Sequence, residues 1–167
     1  MIDFTDSANP VEIAYYDRGP INTPNPTGLN LGGLWSTYWY NGTVFGSEIA
    51  RGFDAFALKV SEHLTENELA AARSVQQEEF NAQHQTPLTW EPSFDVVGSF
   101  FDQAVESGAL AGQTLAKVSK HLDQAQALEG NGDASIAQLQ ISARQLDTEG
   151  DQGELREAIV DLTESLG

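Results

Sequence analysis

Two residues, Asn41-Gly42, constrain this chain more than any others. They separate two short runs rich in aromatic and β-branched residues, Leu34–Tyr40 and residues 43–47. Both central residues of a two-residue type I′ turn need positive φ, which Asn and Gly tolerate, so the pattern predicts a tight β-hairpin. A second break at Arg51-Gly52 precedes a third run, residues 53–60, in which Phe53, Ala55, Ala57 and Lys59 alternate with Asp54, Phe56, Leu58 and Val60. Three antiparallel strands are expected. Upstream, Asn9-Pro10 marks a turn, and VEIAYY at residues 11–16 reads as a fourth short strand ended by Asp17-Arg18-Gly19-Pro20. Residues 21–30 have no period and read as loop.

Near Lys59 the period changes from 2 to 3.6. Thr65-Glu66-Asn67-Glu68 fits a capping box, in which Thr65 and Glu68 each satisfy the other's backbone N–H, so a helix is expected from there to about Phe80. Residues 81–93, with Pro87, Trp90 and Pro92, read as a linker. Beyond it the texture is helical throughout. Val97, Phe100, Phe101, Ala104 and Val105 form one apolar stripe, stopped at Gly108; Leu115, Val118, Leu122 and Ala125 form the next. Asp133 is read as the N-cap of a third helix carrying Ile136, Leu139, Ala143 and Leu146. Gly150 to Gly153 is read as its end, and Leu155, Ile159, Leu162 and Leu166 line a fourth. Short polar connections imply antiparallel packing. The fold class expected is α+β: an N-terminal antiparallel sheet of three to four strands, forming one propeller-blade-like unit, followed by an all-α bundle. The organisation expected is a β unit at 1–60, a helix and linker at 61–93, and an acidic helical bundle at 94–167.

Charge limits the partners. The net charge is -17 over 167 residues. Such a field repels phosphate backbones and anionic lipid, so nucleic-acid binding is not expected; it suits cations, cationic partners or a high-salt setting, but plain solubility is the favoured reading of the charge. No stretch approaches the roughly 18–20 apolar residues of a membrane span. Without cysteine, disulfides and thiolate metal sites are impossible. The opening MIDFTDSANP has neither a basic nor an apolar leader region, so no signal peptide is read in this chain.

Residues 9–20, Asn9-Pro10-Val11-Glu12-Ile13-Ala14 with Tyr16-Asp17-Arg18-Gly19-Pro20, resemble the strand that closes a repeat in LVIVD-repeat β-propeller proteins. Ile2-Asp3-Phe4-Thr5-Asp6 stands where that family has its preceding strand. Gly33 to Gly42, GLWSTYWYNG, and Gly46 to Asp54, GSEIARGFD, resemble the final blade of bacterial, largely actinobacterial, members; Ser61-Glu62-His63-Leu64 and the following helix match what comes after it. Residues 94–148 resemble the FIMAH type of helical module through Gly98-Ser99-Phe100-Phe101, Ala109-Leu110 and the Leu115, Leu122, Leu128 row. The resemblance implies an exported, extracellular or cell-surface protein and a non-catalytic structural or binding role. The alternative is the C-terminal accessory region of a larger secreted enzyme with its catalytic part upstream of Met1. A lone blade would leave aromatic faces and strand edges open, since blades bury their faces on neighbours. A protein partner or self-association is therefore expected to cover it.

No catalytic set is read. His63, His84 and His121 lack ligand spacing, no G-x-S-x-G elbow accompanies a serine, and no metal motif is present. No cofactor is expected; around Gly130-Asn131-Gly132-Asp133 a helix-capping turn is favoured over a weak surface Ca²⁺ contact. The candidate binding residues are Trp35, Tyr38, Trp39, Tyr40, Glu48 and Arg51. Alternation puts Trp35, Thr37 and Trp39 on one face and Tyr38 and Tyr40 on the other. The aromatic cluster reads either as inter-blade packing, which is favoured, or as an exposed platform for sugar or peptide. Glu48 and Arg51 read either as an ion pair at the strand turn, also favoured, or as groups on a ligand-facing rim.

Overall fold

In the computed structural model Asn41 and Gly42 both take positive φ, 46° and 80°, and Tyr40 pairs directly with Thr43 across them. The model describes residues 1–22, 31–84 and 87–167, with no account of the Ala82 side chain. The loop read at 21–30 thus lies outside the described residues from 23 to 30, as do residues 85 and 86 of the linker. The chain divides into two compact units, Met1–Leu64 with Ala72–Leu88 and Thr65–Ala71 with Thr89–Gly167.

Among its described residues the first unit holds five strands in two antiparallel sheets: β1 (Ile2–Asp3) with β2 (Val11–Glu12), and β3 (Leu34–Tyr40), β4 (Thr43–Glu48) and β5 (Gly52–Phe56) in that spatial order. The strand expected over 11–16 is thus only two residues long and pairs with Ile2–Asp3 rather than with the aromatic sheet. Beyond it the Ile13 amide still donates to the Met1 carbonyl at 3.1 Å, and the Tyr16 ring packs on Phe56 with centroids 4.7 Å apart.

Simple alternation along β3 fails at Trp35. Leu34 pairs with Glu48 and Ser36 with Ser47, so Trp35 is an extra residue in a bulge. Beyond it Thr37 and Trp39 share a face with Val44, Gly46, Asp54 and Phe56, while Tyr38 and Tyr40 share the other with Phe45, Phe53 and Ala55. Leu34 packs over Gly46 on the first face, where a Cβ would come within 2.9 Å of the end of the Leu34 side chain and move it. On the second face Phe80 packs on Tyr38 and Tyr40, at 6.0 and 5.7 Å.

Helix α1 (Glu66–Ser74) opens with the expected capping box. The Thr65 amide donates to the Glu68 carboxylate at 2.8 Å and the Glu68 amide to Thr65 Oγ1 at 3.2 Å. The helix stops at Ser74, short of Phe80. The backbone beyond is recruited by the hairpin: Tyr40 Oη and Asn41 Nδ2 donate to the Gln77 carbonyl, and the Gln77 amide donates to Asn41 Oδ1.

In the second unit four helices, α2 (Phe94–Glu106), α3 (Gly112–Ala127), α4 (Gly132–Ala143) and α5 (Gly150–Leu166), pack α2 on α5, α5 on α4 and α4 on α3. The core is built from the expected stripes, with Val97, Ala104, Val118, Ala125, Leu139, Leu155 and Ile159 buried together with Leu110. Ser93 caps α2 through the Val96 amide. Two terminus readings are corrected. Asn131, not Asp133, caps α4, because its side chain reaches the Ala134 amide. Residues 150–153 begin α5 instead of ending α4; Gly153 lets the helix approach Thr148, where a Cβ would meet backbone atoms at 2.8 Å. No helix among the described residues is long and apolar enough to cross a membrane.

Leu155 is fully buried whereas Leu128 is exposed. Leu155→Ala should cost about 2–5 kcal/mol through the lost transfer energy and the cavity left behind. Leu128→Ala should cost less than about 1 kcal/mol. Chemical denaturation followed by far-UV circular dichroism checks both.

Candidate functional site

The β4–β5 turn carries a buried carboxylate, Glu48. Glu48 ends β4 on the face shared with Gly46, and it is 5% exposed. Burying a carboxylate is costly unless it is paired and hydrogen-bonded. Here it is both. One oxygen accepts from the Gly33 amide at 3.1 Å and meets the Arg51 guanidinium at 3.4 Å. The other accepts from the Ala50 amide at 2.9 Å and from the Arg51 amide. Burial pushes the Glu48 pKa up, but the Gly33 amide, the Arg51 guanidinium and the Arg51 and Ala50 amides together hold it below its ordinary value of 4.5. Glu48 is therefore ionised at neutral pH.

Arg51 extends the network. Its guanidinium reaches the carbonyls of Arg18 and Gly19 at 3.3 and 3.4 Å, while Nε is buried without a hydrogen-bond partner among the described residues. Arg18 in turn places one nitrogen against both Asp54 oxygens, at 3.1 and 3.2 Å. Asp17 accepts from the Gly19 amide at 2.6 Å, shaping the bend between the two arginines. These groups border a cleft of about 360 Å³ whose apolar wall is Tyr16, Ile21, Leu34 and Phe56.

The structure thus brings together two of the six candidate residues, Glu48 and Arg51. Trp35 projects from the bulge, 74% exposed. Trp39 is half-buried on the face of the cleft but does not border it. Tyr38 and Tyr40 lie on the opposite face, Tyr40 tied to Gln77 and Tyr38 edge-on to Phe80. Sequence reasoning missed Arg18 and Tyr16 as parts of the cleft. The parity of Asp54 and Phe56 on β5 was the signal that both face it; nothing local points from Arg18 to a residue so distant in the chain.

Chemically the cleft is a scaffold. Each carboxylate oxygen of Glu48 already accepts two N–H groups, and Asp54 is engaged by Arg18. The arrangement therefore fixes the turn and the segment around Arg18. Among the described residues no group of three or more His, Asp or Glu side chains converges to hold a metal ion.

No protein-family model, curated protein or solved structure matches the chain.

Because the folded chain binds the Glu48 proton less readily than the unfolded chain, this group's contribution to stability is complete at neutral pH. It drains away as pH falls through the ordinary value and then the lowered folded one. Asp3 is held low by Thr5, and Asp6 by the Asn9 side chain and the Ala8 amide, so both add the same sign of dependence. Comparison with Glu48→Gln isolates the contribution of Glu48. Thermal melts by near-UV circular dichroism between about pH 7 and pH 3 should show the wild-type midpoint falling more steeply than that of the variant.

Proposed function

We propose that this chain is a non-catalytic binding and assembly module, exported or displayed at a cell surface. In this reading its three-stranded sheet acts as the last blade of an LVIVD-like propeller, and the helical bundle is an acidic appendage. Support for the blade and for export comes from the sequence resemblance. Support for a binding surface comes from one observation: Trp35 is 74% exposed and Phe53 70% exposed on a sheet that has two open edges among the described residues.

The two side chains belong to the two edge strands, Trp35 in the bulge of β3 and Phe53 on β5. Ser36, next to Trp35, pairs with Ser47, and Ser47 pairs with Phe53. Phe53 also stacks on Phe45 at 5.7 Å with an interplanar angle of 21°, which holds its ring in place before any partner arrives. Large apolar side chains beside open strand edges are the features that protein partners cover, through aromatic anchors and added strands. The occupant favoured is a protein surface, either a second copy of this chain or neighbouring blades.

Size-exclusion chromatography with light scattering tests the self-association arm. The wild-type chain should run above its monomer mass. Trp35→Lys combined with Phe53→Lys should run as a monomer, its far-UV spectrum unchanged. A double variant keeping the wild-type mass distribution would remove these side chains from the associating surface.

A further inference from the structure

The helical unit carries a second, chemically different surface. A groove of about 390 Å³ runs between α5 and the segment that leads into α2, floored by Val96, Phe100 and Ala158 and walled by Trp90 and Pro92. Trp90 is 46% exposed, so part of its ring remains open to solvent. The opposite wall is acidic. Glu154, Glu157 and Asp161 all border the groove and are exposed. Their spacings of three, four and seven residues bring all three onto one stripe of α5 at about 3.6 residues per turn, and the nearest base, Arg156, falls on the far side of the helix. None of the three carboxylates has an ion pair among the described residues.

We propose that this groove binds a cationic peptide segment, with an arginine or lysine side chain laid along the Trp90 ring and its charged end among Glu154, Glu157 and Asp161. An aromatic face attracts a cation through its quadrupole, and a carboxylate row supplies hydrogen-bond acceptors for a guanidinium or ammonium. The apolar floor suits the methylene stem of such a side chain, which buries its carbons while its head stays polar. Charge selects this occupant over the others. The chain carries 25 acids against 8 Lys and Arg, so a second copy would bring mostly repulsion to the acidic wall, and phosphate-bearing ligands would meet the same field. The surface is lined by residues of the second unit alone and does not rest on the blade reading.

A capped hexa-arginine peptide is the probe, titrated into the full chain at low salt by calorimetry and by proton–nitrogen NMR. The expected result is saturable binding that weakens with salt and shifts the Trp90 indole resonance. Trp90→Leu, which keeps an apolar cover, should weaken binding about fivefold or more. Glu154→Gln, Glu157→Gln and Asp161→Asn together should do the same. Asp123→Asn, Glu129→Gln and Asp147→Asn together shed equal charge elsewhere and should leave affinity near wild type. Circular dichroism confirms that each variant keeps its helices. Equal weakening by the two charge variants, wild-type affinity in Trp90→Leu, or no binding at millimolar peptide would each overturn the proposal. So would a dimer of the chain that the groove variants dissolve, since the groove would then be occupied by a second copy.

Discussion

The first unit depends on one buried negative charge. The Glu48 carboxylate collects N–H groups from residue 33, ahead of β3, and from residues 50 and 51 in the β4–β5 turn. It thereby joins the entrance of the sheet to its second turn through a single side chain. Neutralising or removing it would strand several buried donors at once, a larger penalty than the loss of one exposed ion pair. The Arg51 guanidinium carries the constraint onward to the backbone of Arg18 and Gly19, and Arg18 returns it to the sheet at Asp54. A closed circuit of charge holds a sheet with little apolar burial of its own.

The second unit is stabilised differently. Its core is aliphatic, and its buried serines differ in their use: Ser99 donates to the Val96 carbonyl within α2, Ser135 donates to the Ala125 carbonyl and ties α4 to α3, and the Ser142 hydroxyl is buried without a hydrogen-bond partner among the described residues. Packing of small residues, Ala104, Ala125 and Ala143, lets the helices approach closely while acids occupy the outer faces. The two units therefore divide the labour: one presents aromatic rings on strands, the other presents carboxylates on helices.

What could be read from residues alone follows the range of the interactions. The hairpin was legible because Asn41-Gly42 sets its own backbone angles, and the capping box because Thr65 and Glu68 lie three residues apart. The α+β class and the helical stripes were legible because periodicity is a local property. The break in pairing at Trp35 was not legible, since a bulge is decided by the partner strand and not by the strand that carries it. Helix α1 was overextended because its end is set by the hairpin's claim on Gln77, about 36 residues away in sequence. The Glu48–Arg51 pair was readable from its three-residue separation. The Arg18–Asp54 contact that completes the cleft was not, being a product of tertiary closure.

The tether between Asn41 and Gln77 has a chemical lifetime as well as a free energy. Asparagine followed by glycine is the dipeptide in which the next backbone nitrogen attacks the side-chain amide carbon with least hindrance, expelling the side-chain nitrogen as ammonia, and water then opens the cyclic imide to leave a carboxylate. At Asn41 that change would replace the donor now 3.0 Å from the Gln77 carbonyl by a carboxylate oxygen, turning a hydrogen bond into repulsion between acceptors. The residue that lets the hairpin turn is thus also the one whose side-chain chemistry would decide how long the strands hold the segment behind them.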